Sequence, residues 1–230
     1  MKLRLLFLGF AAAALVAGCG DDESGTGPAA DGAMRVVHAS PDAPSVDVLV
    51  DNAKVLSSVP YLGASSYLDV PAGTRNVKVN AAGTSTTVID ADVPVTAGRD
   101  YTVIAGGLVS EIAPIVLEDD RTAPAAGNAK VRAVHGAPSA PAVDIYVTAP
   151  GADLATATPT LTGVPFGAAS DYLSIPAGDY QVRVTPTGTK TVAIDSGPVS
   201  LVAGQVRTVI AVDSPDGGAP FGFLLLQDLN

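Results

Sequence analysis

A chain of 230 residues suits one large or two small domains, and at 47% hydrophobic it can bury a real core. Thirteen basic residues against twenty-three acidic ones leave a net charge of −10, which argues against nucleic acid as a partner and favours solubility. With a single cysteine, no disulfide can form within the chain.

The chain opens on a basic tip, Lys2 and Arg4, followed by a twelve-residue apolar run from Leu5 to Val16. A membrane-crossing helix needs about 20 residues, so the run reads as the hydrophobic part of an export signal. It ends in Leu15-Val16-Ala17-Gly18-Cys19, which holds the only cysteine. This small-small-Cys ending resembles the lipobox of bacterial lipoproteins. The resemblance implies cleavage after Gly18 and a lipid on Cys19. Residues 1–18 are then the signal, and the mature protein is lipid-anchored to a membrane of the bacterial cell envelope, facing the periplasm or the exterior. Residues 19–33 read as a lipidated, disordered tether, because Gly20 to Ala33 is polar and Gly-rich without apolar periodicity.

Beyond the tether the sequence is duplicated. Arg35-Val-Val-His-Ala-Ser-Pro-Asp-Ala-Pro-Ser-Val-Asp-Val-Leu-Val50 matches Arg132-Ala-Val-His-Gly-Ala-Pro-Ser-Ala-Pro-Ala-Val-Asp-Ile-Tyr-Val147. Tyr67-Leu-Asp-Val-Pro-Ala-Gly73 matches Tyr172-Leu-Ser-Ile-Pro-Ala-Gly178, and Thr102-Val-Ile-Ala105 matches Thr208-Val-Ile-Ala211. The order is conserved between copies, so residues 34–119 and 130–230 are two copies of one unit, joined by a linker at 120–129. Within each copy the apolar period is two: Val46, Val48 and Val50 alternate with Asp47 and Leu49, and Val182 and Val184 flank Arg183. That pattern belongs to half-buried strands, and Pro-Ala-Gly supplies the turns between them. Seven or eight short strands per copy predict an all-β fold of two tandem immunoglobulin-like β-sandwiches, with a closed barrel as the alternative. The motifs at 38–48 and 67–73 resemble the bacterial surface domain called domain of unknown function 4397. The resemblance spans nearly all of 34–228 and implies an exported, often lipid-anchored β domain without an activity to transfer. The second copy departs from the motif at Gly136-Ala-Pro-Ser-Ala-Pro141, which lacks the acid that Asp42 provides.

Two histidines, His38 and His135, occupy the same place in each copy. Each ends an apolar stripe (Met34, Val36, His38; Val131, Ala133, His135), which predicts a buried ring hydrogen-bonded within its own copy rather than a metal ligand. Asp47 and Asp144 are candidates to orient those rings, and capping turns is the plainer use for them. Nucleophile elbows, phosphate loops and zinc-protease motifs are absent. Glu118-Asp119-Asp120 matches no calcium loop and reads as solvated linker. Tyr67 and Tyr172 lie opposite the apolar face of their strands, where they cover a sheet edge or offer a sugar a stacking face.

These residues call for no cofactor and predict a non-catalytic envelope interaction or structural module, whose partner is an envelope protein or polysaccharide. The alternatives are a hydrolase built on His38 or His135, and a carbohydrate-binding module using the tyrosines. The second copy carries a polar, Pro-interrupted insertion at 148–163, expected to be an exposed loop open to partner contact.

Overall fold

The computed structural model describes residues 31–229. The expected signal at 1–18, the expected lipid site Cys19 and the expected tether as far as residue 30 lie outside the described residues. Each copy folds as a sandwich of two four-stranded sheets. In unit one, β1 (Asp31–Ala39), β4 (Leu68–Pro71), β7 (Asp100–Gly106) and β8 (Ala113–Asp119) form an inner sheet in the order β4-β1-β7-β8. Its outer sheet holds β2 (Val46–Val50), β3 (Ala53–Val59), β5 (Gly73–Ala81) and β6 (Thr87–Val95), ordered β3-β2-β5-β6. Unit two repeats this plan. Its inner sheet comprises β9 (Asn128–His135), β12 (Leu173–Pro176), β15 (Val206–Val212) and β16 (Gly222–Leu229), ordered β12-β9-β15-β16. Its outer sheet comprises β10 (Val143–Thr148), β11 (Leu161–Val164), β13 (Gly178–Pro186) and β14 (Ile194–Leu201), ordered β11-β10-β13-β14. The pairs β1/β7 and β9/β15 run parallel; every other ladder is antiparallel. The expected pair of immunoglobulin-like β-sandwiches is what the chain forms.

Strand parity explains how the sandwiches are arranged. On β1, Met34 and Val36 point into the core of unit one, where they meet Val48, Val77 and Val103. The alternate residues Val37 and Ala39 point the other way. With Ile104 they pack against Val134, Ile210, Val212 and Leu226 of unit two. The two inner sheets therefore face each other, and the molecule is four layers deep, outer-inner-inner-outer. A strand covered on both faces reads as a continuous apolar run rather than an alternation. Thr102-Val-Ile-Ala105 and Thr208-Val-Ile-Ala211 are such runs.

Two expected boundaries move. Asp31, Gly32 and Ala33 belong to β1, paired with Pro71, Val70 and Asp69, rather than to the tether. Gly32 is there because a Cβ would sit 2.6 Å from Val95 and 2.8 Å from the Thr96 carbonyl. Asn128 and Ala129 likewise pair with Pro176 and Ile175 rather than ending the linker. The insertion at 148–163 is also less free than its composition implies. Leu154 is buried, the Ala152 carbonyl accepts from Arg183 at 2.8 Å, and β11 begins at Leu161. One apolar side chain and a captive carbonyl suffice to dock a loop that is otherwise polar.

Candidate functional site

The joint between the inner sheets holds a reciprocal charge network. Arg35 of β1 crosses to unit two, where Nη2 donates to Asp228 Oδ1 at 2.6 Å and Nη1 donates to the Gln227 carbonyl at 3.2 Å. Arg132 of β9 makes the mirror contact, donating to Asp119 Oδ1 and to the Glu118 carbonyl of unit one. Each arginine is steadied at home by a threonine of its own sheet: Thr102 accepts from Arg35 at 2.8 Å, and Thr208 accepts from Arg132 at 3.0 Å. Each aspartate is steadied by a tyrosine of its own unit, Tyr67 donating to Asp119 at 2.7 Å and Tyr172 to Asp228 at 2.9 Å. The arginine side chains are 4% exposed and Asp119 and Asp228 are 0% exposed, so both pairs sit in a medium where an unpartnered charge is costly. Arg121 completes the set, donating to the Asp228 carbonyl at 2.9 Å and to Asp100 at 3.0 Å.

Both tyrosine rings lie against cations. Tyr67 lies under the Arg35 and Arg121 guanidinium groups at 4.7 and 4.3 Å, and Tyr172 lies under Arg132 at 4.7 Å and the Lys130 ammonium at 5.5 Å. Burial raises both phenols well above their usual range, and the Asp119 charge adds to the rise at Tyr67, so both remain hydrogen-bond donors. They carry the joint, each half-buried with cations against its ring.

Beside the network a cleft of about 690 Å³ opens between the units. Unit one contributes Arg99, Asp100 and Glu118, the linker contributes Asp120, Arg121 and Thr122, and unit two contributes Ser170, Asp171 and Tyr172. Several of these pair along the walls: Arg99 with Glu118 at 3.1 Å and Lys130 with Asp120 at 2.7 Å. The Lys130 contact, followed by Thr122, holds the Asp120 carboxyl down to about 2. The acid cluster at 118–120, expected as solvated linker, is therefore structural at Asp119 and ion-paired on either side of it. Among the described residues no group of three or more histidines, cysteines and acids is placed to hold a metal ion.

The histidines are buried, 0% and 1% exposed, at equivalent points. His38 Nε2 donates to the Pro44 carbonyl at 3.0 Å while Nδ1 accepts from Ser40 N at 3.4 Å; His135 does the same with Pro141 and Ala137 N. The rings stack edge-on against Tyr61 and Phe166. Asp47 and Asp144 do not orient these rings. Asp47 accepts from Lys54 at 2.6 Å, Ser58 N at 2.8 Å and Gly83 N at 3.2 Å, which hold its carboxyl down to about 2. Asp144 accepts from Gly163 N at 2.8 Å and Gly188 N at 2.9 Å. Both aspartates pin turns to the central strand of an outer sheet, the plainer role for the residue type.

Sequence reasoning missed Arg35, Arg132, Thr102, Thr208 and Asp228. The signal was present: an arginine at the same place in each copy, flanked by apolar residues on both sides.

The architecture is that of a tandem β-sandwich module with its two copies locked face to face. The chain belongs to the family described as Domain of unknown function (DUF4397), whose model matches residues 32–146 and 147–230. The boundary between the matches falls inside β10, whereas the hydrogen-bonded sheets divide between Asp119 and Asn128. No curated protein matches the chain. A solved structure concerning alpha-glucan binding by a streptococcal virulence factor is similar at 12% identity and a TM-score of 0.25, covering 78% of this chain and 92% of that one. A likeness at that level carries no functional argument.

Proposed function

We propose that the protein is an exported, lipid-anchored, non-catalytic module of the bacterial cell envelope that holds an envelope protein in the cleft between its units. The observation that carries this reading is the cleft's position at a joint fixed by two buried reciprocal ion pairs, with walls from both units. A rigid frame holding a polar surface open lowers the ordering cost of binding. The walls carry both signs of charge, Arg99 and Arg121 against Asp100, Glu118 and Asp171, which suits a polypeptide partner better than a neutral glycan. The cations already held against the tyrosine rings weigh against sugar stacking at the joint. The buried histidines weigh against the hydrolase, since both ring nitrogens of each are taken up by main-chain groups of the same unit.

Two experiments test the reading. Mass spectrometry of the membrane fraction is expected to find a mature chain starting at lipid-modified Cys19; an unmodified cysteine or another start sinks the anchor. Crosslinking in intact envelopes through a photoreactive residue at Asp171 is expected to trap a specific protein, with loss on Arg99→Glu. Retention of soluble envelope polysaccharide in place of a protein would transfer the cleft to the carbohydrate reading.

A further inference from the structure

The two copies place apolar residues at the same inward positions yet fill their cores differently. In unit one Met34, Val77, Val93, Val95 and Val103 are all buried. The residues at the same positions in unit two, Val131, Val182, Val199, Leu201 and Val209, are only part-buried. They wall a cavity of about 320 Å³ between the sheets, and a further pocket of about 50 Å³ continues beneath Ala133 and Ile145. Such a volume lies in the range of small-molecule sites, about 300–1,000 Å³. At roughly 30 Å³ per atom it holds on the order of ten non-hydrogen atoms.

The clearest exchange between copies is in the cavity wall. Unit one has Tyr101, a core residue whose hydroxyl accepts from Thr96 N at 3.2 Å. Unit two has Arg207 at that position, 8% exposed and lining the cavity. Its Nη1 donates to two main-chain carbonyls, Leu229 at 3.0 Å and Val206 at 3.3 Å, and among the described residues no carboxylate forms an ion pair with it. Ser196, Ser200 and Gln205 line the same cavity. A buried cation that donates only to carbonyls, with the Asp228 carboxylate near enough to act on its charge but not paired with it, is an expensive arrangement that an incoming anion relieves. Apolar walls, by contrast, favour a hydrocarbon.

We propose that the cavity of unit two binds a single-chain amphiphile bearing a carboxylate, with its hydrocarbon between the sheets and its head on Arg207. The guanidinium matches a carboxylate through paired N–H donors, which a hydroxyl head cannot reproduce. In unit one the buried Tyr101 stands at the position of Arg207, and a pocket of about 290 Å³ lies instead along β3 and β4, lined by Met34, Val50, Ala53, Leu68 and Val70. The site is separate from the cleft at the joint, and neither reading depends on the other.

Titration calorimetry decides it, using the whole chain with Cys19→Ser, decanoate below its micellar concentration, and decanol as the uncharged twin. The expected result is one saturable decanoate site, tighter than for decanol. Arg207→Gln should weaken decanoate about tenfold and leave decanol unchanged, since a charge-assisted bond is lost. Val131→Phe, which fills the space, should abolish binding of both while thermal melting confirms the fold. If Val131→Phe does not fold, the Arg207→Gln comparison decides alone. Absence of a saturable site, equal affinity for the two ligands, equal weakening of both by Arg207→Gln, or decanoate binding retained by a folded Val131→Phe protein each overturns the proposal.

Discussion

Arg35 and Asp228, with Arg132 and Asp119, are the residues on which the joint turns. A buried ion pair contributes little against an apolar replacement, because desolvation offsets most of the attraction, but removing one partner strands the other. Asp119→Asn should therefore destabilise the protein by about 3–5 kcal/mol in urea denaturation. Replacing Arg35 and Asp228 together by Met and Leu should cost much less than either single change, and a double-mutant cycle reads the difference. His38 gives a pH signature. Burial lowers its pKa below the ordinary 6.5, with the Pro44 carbonyl pulling partly the other way. The unfolded chain then binds the extra proton first, so this contribution is complete above about pH 6.5 and declines as the pH falls below it. His38→Gln should flatten the stability profile below about pH 6.5, measured by chemical denaturation at each pH.

At the scale of elements, the outer sheets depend on their aspartate clamps. Asp144 ties the bulged edge at Gly163 and the β13–β14 turn at Gly188 to β10, as Asp47 does at Ser58 and Gly83 for β2. Asp144→Ala leaves two main-chain N–H groups without their acceptor and should cost about 1–3 kcal/mol. Amide exchange should accelerate first at Gly163 and Gly188, ahead of β15. Asp47 adds an acid limb to the stability profile. Its carboxyl is held near 2, chiefly by Lys54, so its contribution is complete above an ordinary carboxyl pKa of 3.8 and is lost as the pH falls toward about 2. The turns themselves were legible in Pro-Ala-Gly, where Gly73 takes φ +115°, a value that strongly favours glycine. The docking of the 148–163 insertion was not, because one buried leucine in a polar stretch has no periodicity to reveal it.

At the scale of the molecule, the two units should melt as one. The apolar layer of Val37, Ile104, Val134, Ile210 and Leu226 is shared, and each arginine makes its shortest carboxylate contact in the other copy. Calorimetry should show a single transition with equal calorimetric and van't Hoff enthalpies. Two separated transitions would mean that the joint is a contact of convenience. Residues 31–119 expressed alone should be markedly less stable than the pair and prone to associate through the bared inner sheet.

The sequence by itself determined the all-β class, the duplication, the strands of the outer sheets and the burial of both histidines, because these follow from local periodicity and from repetition, which a linear reading records. Only the tertiary structure decided that the copies pack inner sheet to inner sheet, that Arg35 and Arg132 exchange partners across the joint, and that Asp119 is buried rather than solvated. Asp119 and Asp228 lie 109 residues apart, and each is partnered by an arginine of the other copy. Such pairings depend on which faces meet in space, and a period-two pattern says only that a strand has two faces. The same limit hid the difference between the cores. Valine at 131 and arginine at 207 look like ordinary substitutions until the sheets around them are seen to stand apart.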